Sequence, residues 1–75
     1  MNVVVRYFAR LRELKGRSEE SCSFPAGITA AEAYVALGLP PDLPIAFAVN
    51  QERVRGDTRL AEGDEVVFLP PIGGG

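Results

Sequence analysis

The sequence predicts an α+β fold in which one main helix packs across one face of a mixed sheet of about four to five strands. Two observations predict this fold. Short runs rich in β-branched and aromatic residues open and close the chain, and a single well-capped helical segment lies between them. One helix laid across one sheet is an economical way to bury the apolar side of both. With 75 residues the chain suits a single domain.

The first strand is predicted over residues 2–8 (NVVVRYF), where β-branched and aromatic residues dominate. Alternation places Val3, Val5 and Tyr7 on one face, which is expected to be the buried one. Residues 9–15 (ARLRELK) are good helix formers followed by a glycine, so they predict a short helical turn.

The main helix is predicted over residues 30–37. Thr29 and Glu32 have the spacing of a capping box, in which each side chain accepts a hydrogen bond from the other residue's backbone N–H. Gly38 is expected to close the helix. Residues 19–24, before this helix, alternate in polarity and predict a half-exposed strand.

The second half of the chain predicts three further strand segments. Residues 39–44 contain three prolines and cannot form regular structure. Strands are predicted at 45–50, at 52–55 and at 65–69, separated by turn residues. Two strands, a helix and three strands form the β-grasp, or ubiquitin-like, order, with the first and last strands expected to pair in parallel at the centre. We therefore predict a β-grasp domain over residues 1–69 and an extended tail over 70–75.

Composition excludes several function classes. The net charge of −2 argues against a nucleic-acid-binding chain, and the locally basic N-terminal quarter is expected to be a solvated face. Histidine is absent and Cys22 is the only cysteine, so a disulfide within the chain, a His-based triad and a Cys/His metal site are excluded. Cys22 is expected to be a small buried hydrophobe. No signal peptide or apolar run of spanning length is apparent, so a cytoplasmic protein without a membrane partner is expected.

The C-terminal residues carry the most information about function. Three terminal glycines arise by chance only about 3 times in 10,000. Pro70 and Pro71 favour an extended exit from the last strand, and residues 73–75 have no Cβ atom that would keep them out of a narrow channel. A carboxylate at the tip of such an arm can be adenylated with ATP and displaced by a nucleophile, which makes the chain a substrate for other enzymes.

The chain resembles the MoaD sulfur-carrier family, the small subunits of molybdopterin synthase, within the MoaD/ThiS ubiquitin-like superfamily. The resemblance covers the whole length. Four motifs carry it: YFARLREL at 7–14, VNQ at 49–51, GDEV at 63–66 and FLPPIGGG at 68–75. It implies a terminal glycine that passes from carboxylate to acyl-adenylate to thiocarboxylate, then donates sulfur to a pyranopterin precursor to form the molybdopterin dithiolene.

The resemblance also implies the site residues and the partners. Gly75 would carry the sulfur, with Gly74 beside it and Gly73 at a position where the family often has Ser, Ala or Thr. The chain would not be catalytic alone and would bind no cofactor or metal. Its partners would be the large catalytic subunit, in a heterotetramer of two small and two large subunits, and an E1-like adenylating enzyme that uses ATP. The expected partner interface comprises Phe8, Leu60, Leu69, Pro70, Pro71 and Ile72.

Other functions remain open from the sequence. The same carrier chemistry could serve thiamine thiazole synthesis or tRNA thiolation, and Gly75 could instead be joined to lysines as a protein tag. A non-catalytic β-grasp interaction module is the alternative from a different class, because fold does not determine function. Such a module would tolerate loss of Gly74 and Gly75, whereas a carrier would not.

Overall fold

The structure is a computed structural model and describes residues 1–70 of the chain. Within these residues it contains a five-stranded sheet with the strand order β2-β1-β5-β3-β4 and two helices. The elements are β1 (Asn2–Tyr7), α1 (Ala9–Lys15), β2 (Glu19–Ser23), α2 (Ala30–Ala36), β3 (Ala46–Val49), β4 (Glu52–Val54) and β5 (Glu65–Leu69). The first and last strands pair in parallel and the other pairs are antiparallel, which confirms the predicted β-grasp arrangement.

The core lies between α2 and one side of the sheet, which we call the inner face. Val3, Val5 and Tyr7 are buried there, as their alternation predicts. The Phe68 ring of β5 meets the Tyr34 ring of α2 edge to face, with 5.2 Å between ring centroids. This contact joins the central strand to the helix, so the apolar side of each element is covered by the other.

The capping box at the start of α2 is present. The Glu32 backbone N–H donates to Thr29 Oγ1 at 3.1 Å, and the Thr29 N–H donates to Glu32 Oε1 at 2.8 Å. These hydrogen bonds hold the pKa of the Glu32 carboxyl below its ordinary value. The helix ends one residue before the predicted end, and Gly38 follows in the left-handed conformation with φ of 72°.

The start of α1 sets the end of β1. The predicted strand includes Phe8, whereas in the structure Phe8 is the extended residue that caps α1. The helix itself has the predicted bounds and ends at Gly16, whose φ of 71° is left-handed. Phe8 therefore keeps the direction of the strand while the chain turns immediately after it.

Candidate functional site at one end of the sheet

Two strands bring the informative parts of the sequence to the same end of the sheet. Because β1 and β5 run parallel, with Tyr7 opposite Phe68, both strands finish at this end. The residue after Tyr7 is Phe8, and the residues after Phe68 are Leu69 and Pro70. The described chain thus reaches Pro70 beside the start of α1.

Apolar side chains lie together on the outer face, the side of the sheet opposite α2, at this end. Arg6 is opposite Val67 in the ladder, and Phe8 and Leu69 each lie two residues further along, so they share this face. Leu69 pairs with Ala46 of β3. We call Phe8, Ala46, Leu69 and Pro70 the tail-end patch. Phe8 is 44% exposed and the other three are half-buried.

A charged pair borders the tail-end patch. Arg6 Nη1 lies 3.6 Å from Glu65 Oε2, and the guanidinium carbon lies 5.9 Å from the centroid of the Phe8 ring. Arg6 Nε is covered from solvent and has no hydrogen-bond acceptor among the described residues. The outer face therefore combines an exposed aromatic ring with an incompletely paired cation.

Leu60 is not part of this patch. Its side chain is only 5% exposed and belongs to the hydrophobic core, and its backbone N–H donates to the Ile28 carbonyl at 2.9 Å. This corrects the expectation that Leu60 contributes to an exposed docking surface. An apolar residue among turn residues gives no periodic signal, so the sequence alone could not show which way it faces.

The remaining predicted site residues lie outside the described part of the chain. They are Pro71, Ile72, Gly73, Gly74 and Gly75. Their roles in carrying sulfur and contacting a partner stay predictions from the sequence.

Sequence reasoning missed a charged cluster that holds α1 against the inner face. The buried Tyr7 hydroxyl donates to Glu20, which Arg17 Nη1 approaches at 3.3 Å and Lys15 Nζ at 4.0 Å. Burial, together with the hydrogen bond to Glu20, raises the pKa of Tyr7. A buried tyrosine hydroxyl needs a partner, which is the signal that could have indicated the cluster. The cluster thus joins Tyr7, which lies just before α1, to Lys15 at the last residue of α1 through Glu20 of β2.

Cys22 lies half-buried on the inner face beside the core. Burial raises the pKa of its thiol, and the nearby Glu20 carboxylate adds to the effect. A raised pKa keeps the group in the thiol form, which is a poor nucleophile. This environment fits the predicted role as a small hydrophobe rather than a sulfur relay.

Other site classes find no support in residues 1–70. No group of three or more potential metal ligands occurs there. The same residues contain no helix that is long and apolar enough to cross a membrane. An open groove is lined by residues 25–28, Glu32 and Arg59. Within it, Arg59 Nη1 donates to the Gly27 carbonyl at 2.7 Å, so this donor already has a partner in the chain.

Comparisons with known proteins agree with the fold and the length of the chain. Residues 5–75 match the ThiS family. The molybdopterin synthase sulfur carrier subunit of Escherichia coli K12 is 38% identical over 81 residues, covering 97% of this chain and 99% of that protein. The human protein of the same description is 39% identical over 82 residues, covering 97% and 93%. A solved protein–protein complex of subunits 1 and 2 of molybdopterin-converting factor from Helicobacter pylori contains a chain that is 25% identical. Coverage is 100% of both chains, with a TM-score of 0.65.

Proposed function

The chain belongs to the ThiS family, and on that premise we propose that it is the sulfur-carrier subunit of a molybdopterin synthase. One observation carries the proposal: similarity along nearly the whole chain to curated proteins of that description, with the ThiS family match continuing to residue 75. The domain is small, and its described part offers no grouping of metal ligands. Its part in the reaction is to present its own C terminus to other enzymes.

The proposed chemistry takes place at Gly75. A carboxylate oxygen attacks the α-phosphorus of ATP, pyrophosphate leaves, and an acyl-adenylate forms. Hydrosulfide from the sulfur donor then attacks the acyl carbon and AMP leaves, which yields the thiocarboxylate. The thiocarboxylate sulfur forms a bond to carbon of a pyranopterin precursor in the large subunit, water then cleaves the acyl–sulfur bond, and Gly75 returns to the carboxylate. ATP belongs to the E1-like activating enzyme, so this chain binds no cofactor of its own.

The tail-end patch is the proposed docking surface for these partners. Phe8, Leu69 and Pro70 lie where the described chain approaches its glycine residues, so a protein that receives Gly75 also meets them. An exposed aromatic ring bordered by polar groups is typical of interface anchors. The solved complex of subunits 1 and 2 in Helicobacter pylori supports a two-subunit assembly here as well. We place the carrier in the cytoplasm, in keeping with its free cysteine.

Deletion of the terminal glycines tests the proposal. The full-length chain, a variant lacking Gly75 and a variant lacking Gly74 and Gly75 are each combined with the large subunit, the activating enzyme, ATP and a sulfur donor. We expect molybdopterin formation only with the full-length chain, because the shortened chains place the carboxylate away from the reacting centre. Equal product from all three would favour the interaction-module alternative. Lysine-linked adducts without molybdopterin would favour protein tagging.

A further inference from the structure

Arg6 places a positive charge on the outer face beside the tail-end patch, where its acidic neighbours are Glu19, opposite it in β2, and Glu65 of β5. It lies in β1 opposite Val67 of the central strand, two residues before Phe8 on the same face. Val67 is only 9% exposed, and its neighbour on the other side is Ala48. A protein that covers the tail-end patch also approaches the Arg6 guanidinium, 5.9 Å from the Phe8 ring.

Arg6 is only weakly held within the chain. Its ion pair with Glu65 has a separation of 3.6 Å between side chains that are 42% and 31% exposed. Exposed pairs of this kind contribute little, because water and salt screen them and both side chains lose freedom. The Nε–H finds no acceptor among residues 1–70, although it is shielded from water. The exposed end of the guanidinium donates no hydrogen bond to the described residues, so its Nη groups have donor capacity that an acceptor on a partner surface can fill.

We propose that Arg6 is a specificity-determining residue for docking: it pairs with a carboxylate on the protein surface that covers the tail-end patch. The inference rests on the proposed function, since it names the chemistry of the partner surface at that docking site. A carboxylate is the best match, because the planar guanidinium presents donors that carboxylate oxygens accept in pairs. The partner surface is therefore apolar opposite Phe8 and acidic opposite Arg6.

The specificity arises from the cost of burying a cation that is only weakly paired within the chain. When an apolar surface covers Phe8, Arg6 loses water and keeps its long contact with Glu65, while Glu19, opposite it in the ladder, lies beyond ion-pair distance. A surface that supplies a carboxylate compensates for this loss, whereas a surface without one does not. Arg6 consequently discriminates against apolar surfaces that could otherwise cover Phe8.

Binding of the large subunit from the same organism, measured by calorimetry at several salt concentrations, tests the inference. The key variant is Arg6→Met, which keeps the apolar stem and removes the charge. We expect affinity to fall by at least about tenfold, with a weaker dependence on salt. Arg6→Glu should lose more affinity and Arg6→Lys less. Arg55→Met is the matched control, because Arg55 is an exposed arginine paired locally with Asp57, and it should bind as the wild type does.

An Arg6→Met variant that binds within twofold of wild type, or more tightly, with an unchanged salt dependence would overturn the inference. It would show that the stem only covers Val67 and that the charge has no partner. Thermal unfolding of each variant verifies folding, and Arg6→Lys provides a second folded test. The proposed function fails separately: if the wild type binds but never acquires sulfur, the carrier chemistry is wrong while the Arg6 result still stands.

Discussion

Truncation of Phe8 to alanine is expected to weaken docking of the large subunit by roughly 3- to 10-fold from lost burial alone. Complete burial of a phenylalanine side chain contributes about 1.5–3 kcal/mol. Because 44% of Phe8 is still exposed in the free chain, docking can gain about 0.7–1.3 kcal/mol from this ring. A fitted pocket in the partner would increase the loss.

The same substitution should leave the domain folded. The buried part of Phe8 is slightly more than half of the side chain, so its loss costs about 1–2 kcal/mol of folding free energy. The free energy of unfolding of a domain of 75 residues is typically about 4–11 kcal/mol. The variant therefore remains testable at room temperature.

Calorimetric titration of the large subunit with each variant measures the effect. Val35→Ala is the matched control, since Val35 is an apolar side chain that is 70% exposed on α2, on the other side of the sheet from the tail-end patch. We expect Val35→Ala to bind as wild type does. If Phe8→Ala bound within twofold of wild type while remaining folded, or if Val35→Ala caused the larger loss, the docking surface would have been assigned to the wrong face.

Three further predictions concern stability, measured by denaturant unfolding. Thr29→Ala should lower the free energy of unfolding by about 1 kcal/mol, because it removes the hydroxyl that accepts a hydrogen bond from the Glu32 N–H. An unchanged denaturation midpoint would mean that the capping box adds no stability. Because the pKa of Glu32 is lower in the folded state, its carboxylate contributes stability at pH values above its unfolded-state pKa. This contribution is lost as the pH falls through the folded-state pKa. Glu32→Gln should therefore lose less stability on acidification, and a parallel pH profile would contradict this. Phe68→Leu keeps an apolar core residue but removes the edge-to-face contacts with Tyr34 and Phe47, so the free energy of unfolding should fall by about 1–3 kcal/mol. A decrease smaller than the error of the measurement would refute this prediction.

Local signals predicted much of the fold. The bounds of α1 follow from a run of helix formers that meets Gly16, and Gly16 does adopt the left-handed conformation that ends the helix. The last strand is likewise bounded by a turn at Gly63 and by Pro70, and its observed span matches the prediction. Each boundary depends on one residue whose backbone preferences differ from those of its neighbours.

Tertiary context decided what the sequence could not. Alternation places Val67 on the outer face, yet it is nearly buried because strands flank it on both sides and present Arg6 and Ala48 as its ladder neighbours. Leu60 is buried although its surroundings are turns, because its backbone bonds to the Ile28 carbonyl beside α2. The Tyr7–Glu20 contact joins residues 13 apart in sequence, which no short-range pattern specifies.

The functional hypothesis came mainly from residue types at the end of the chain. Glycines after two prolines indicate an extended arm, and a carboxylate at the tip of such an arm can be adenylated and then displaced by a nucleophile. The described structure adds the surroundings: an exposed Phe8 and an incompletely paired Arg6 on the outer face at the end where that arm begins. The exposure of Phe8 agrees with its expected place in the partner interface, whereas the incomplete pairing of Arg6 could not be predicted from the sequence.

The most direct test of the carrier hypothesis is to locate transferred sulfur on Gly75. After incubation with the activating enzyme, ATP and a sulfur donor, the intact mass of the chain is measured and its C-terminal peptide is fragmented. The hypothesis predicts a mass gain equal to the exchange of one oxygen for sulfur, confined to the Gly75 fragment and absent from the chain lacking Gly75. Oxidation of Met1 or Cys22 adds nearly the same mass but lies in other fragments. A mass gain found only in the fragments that contain Met1 or Cys22, or no mass gain at all with a competent activating enzyme, would contradict the hypothesis.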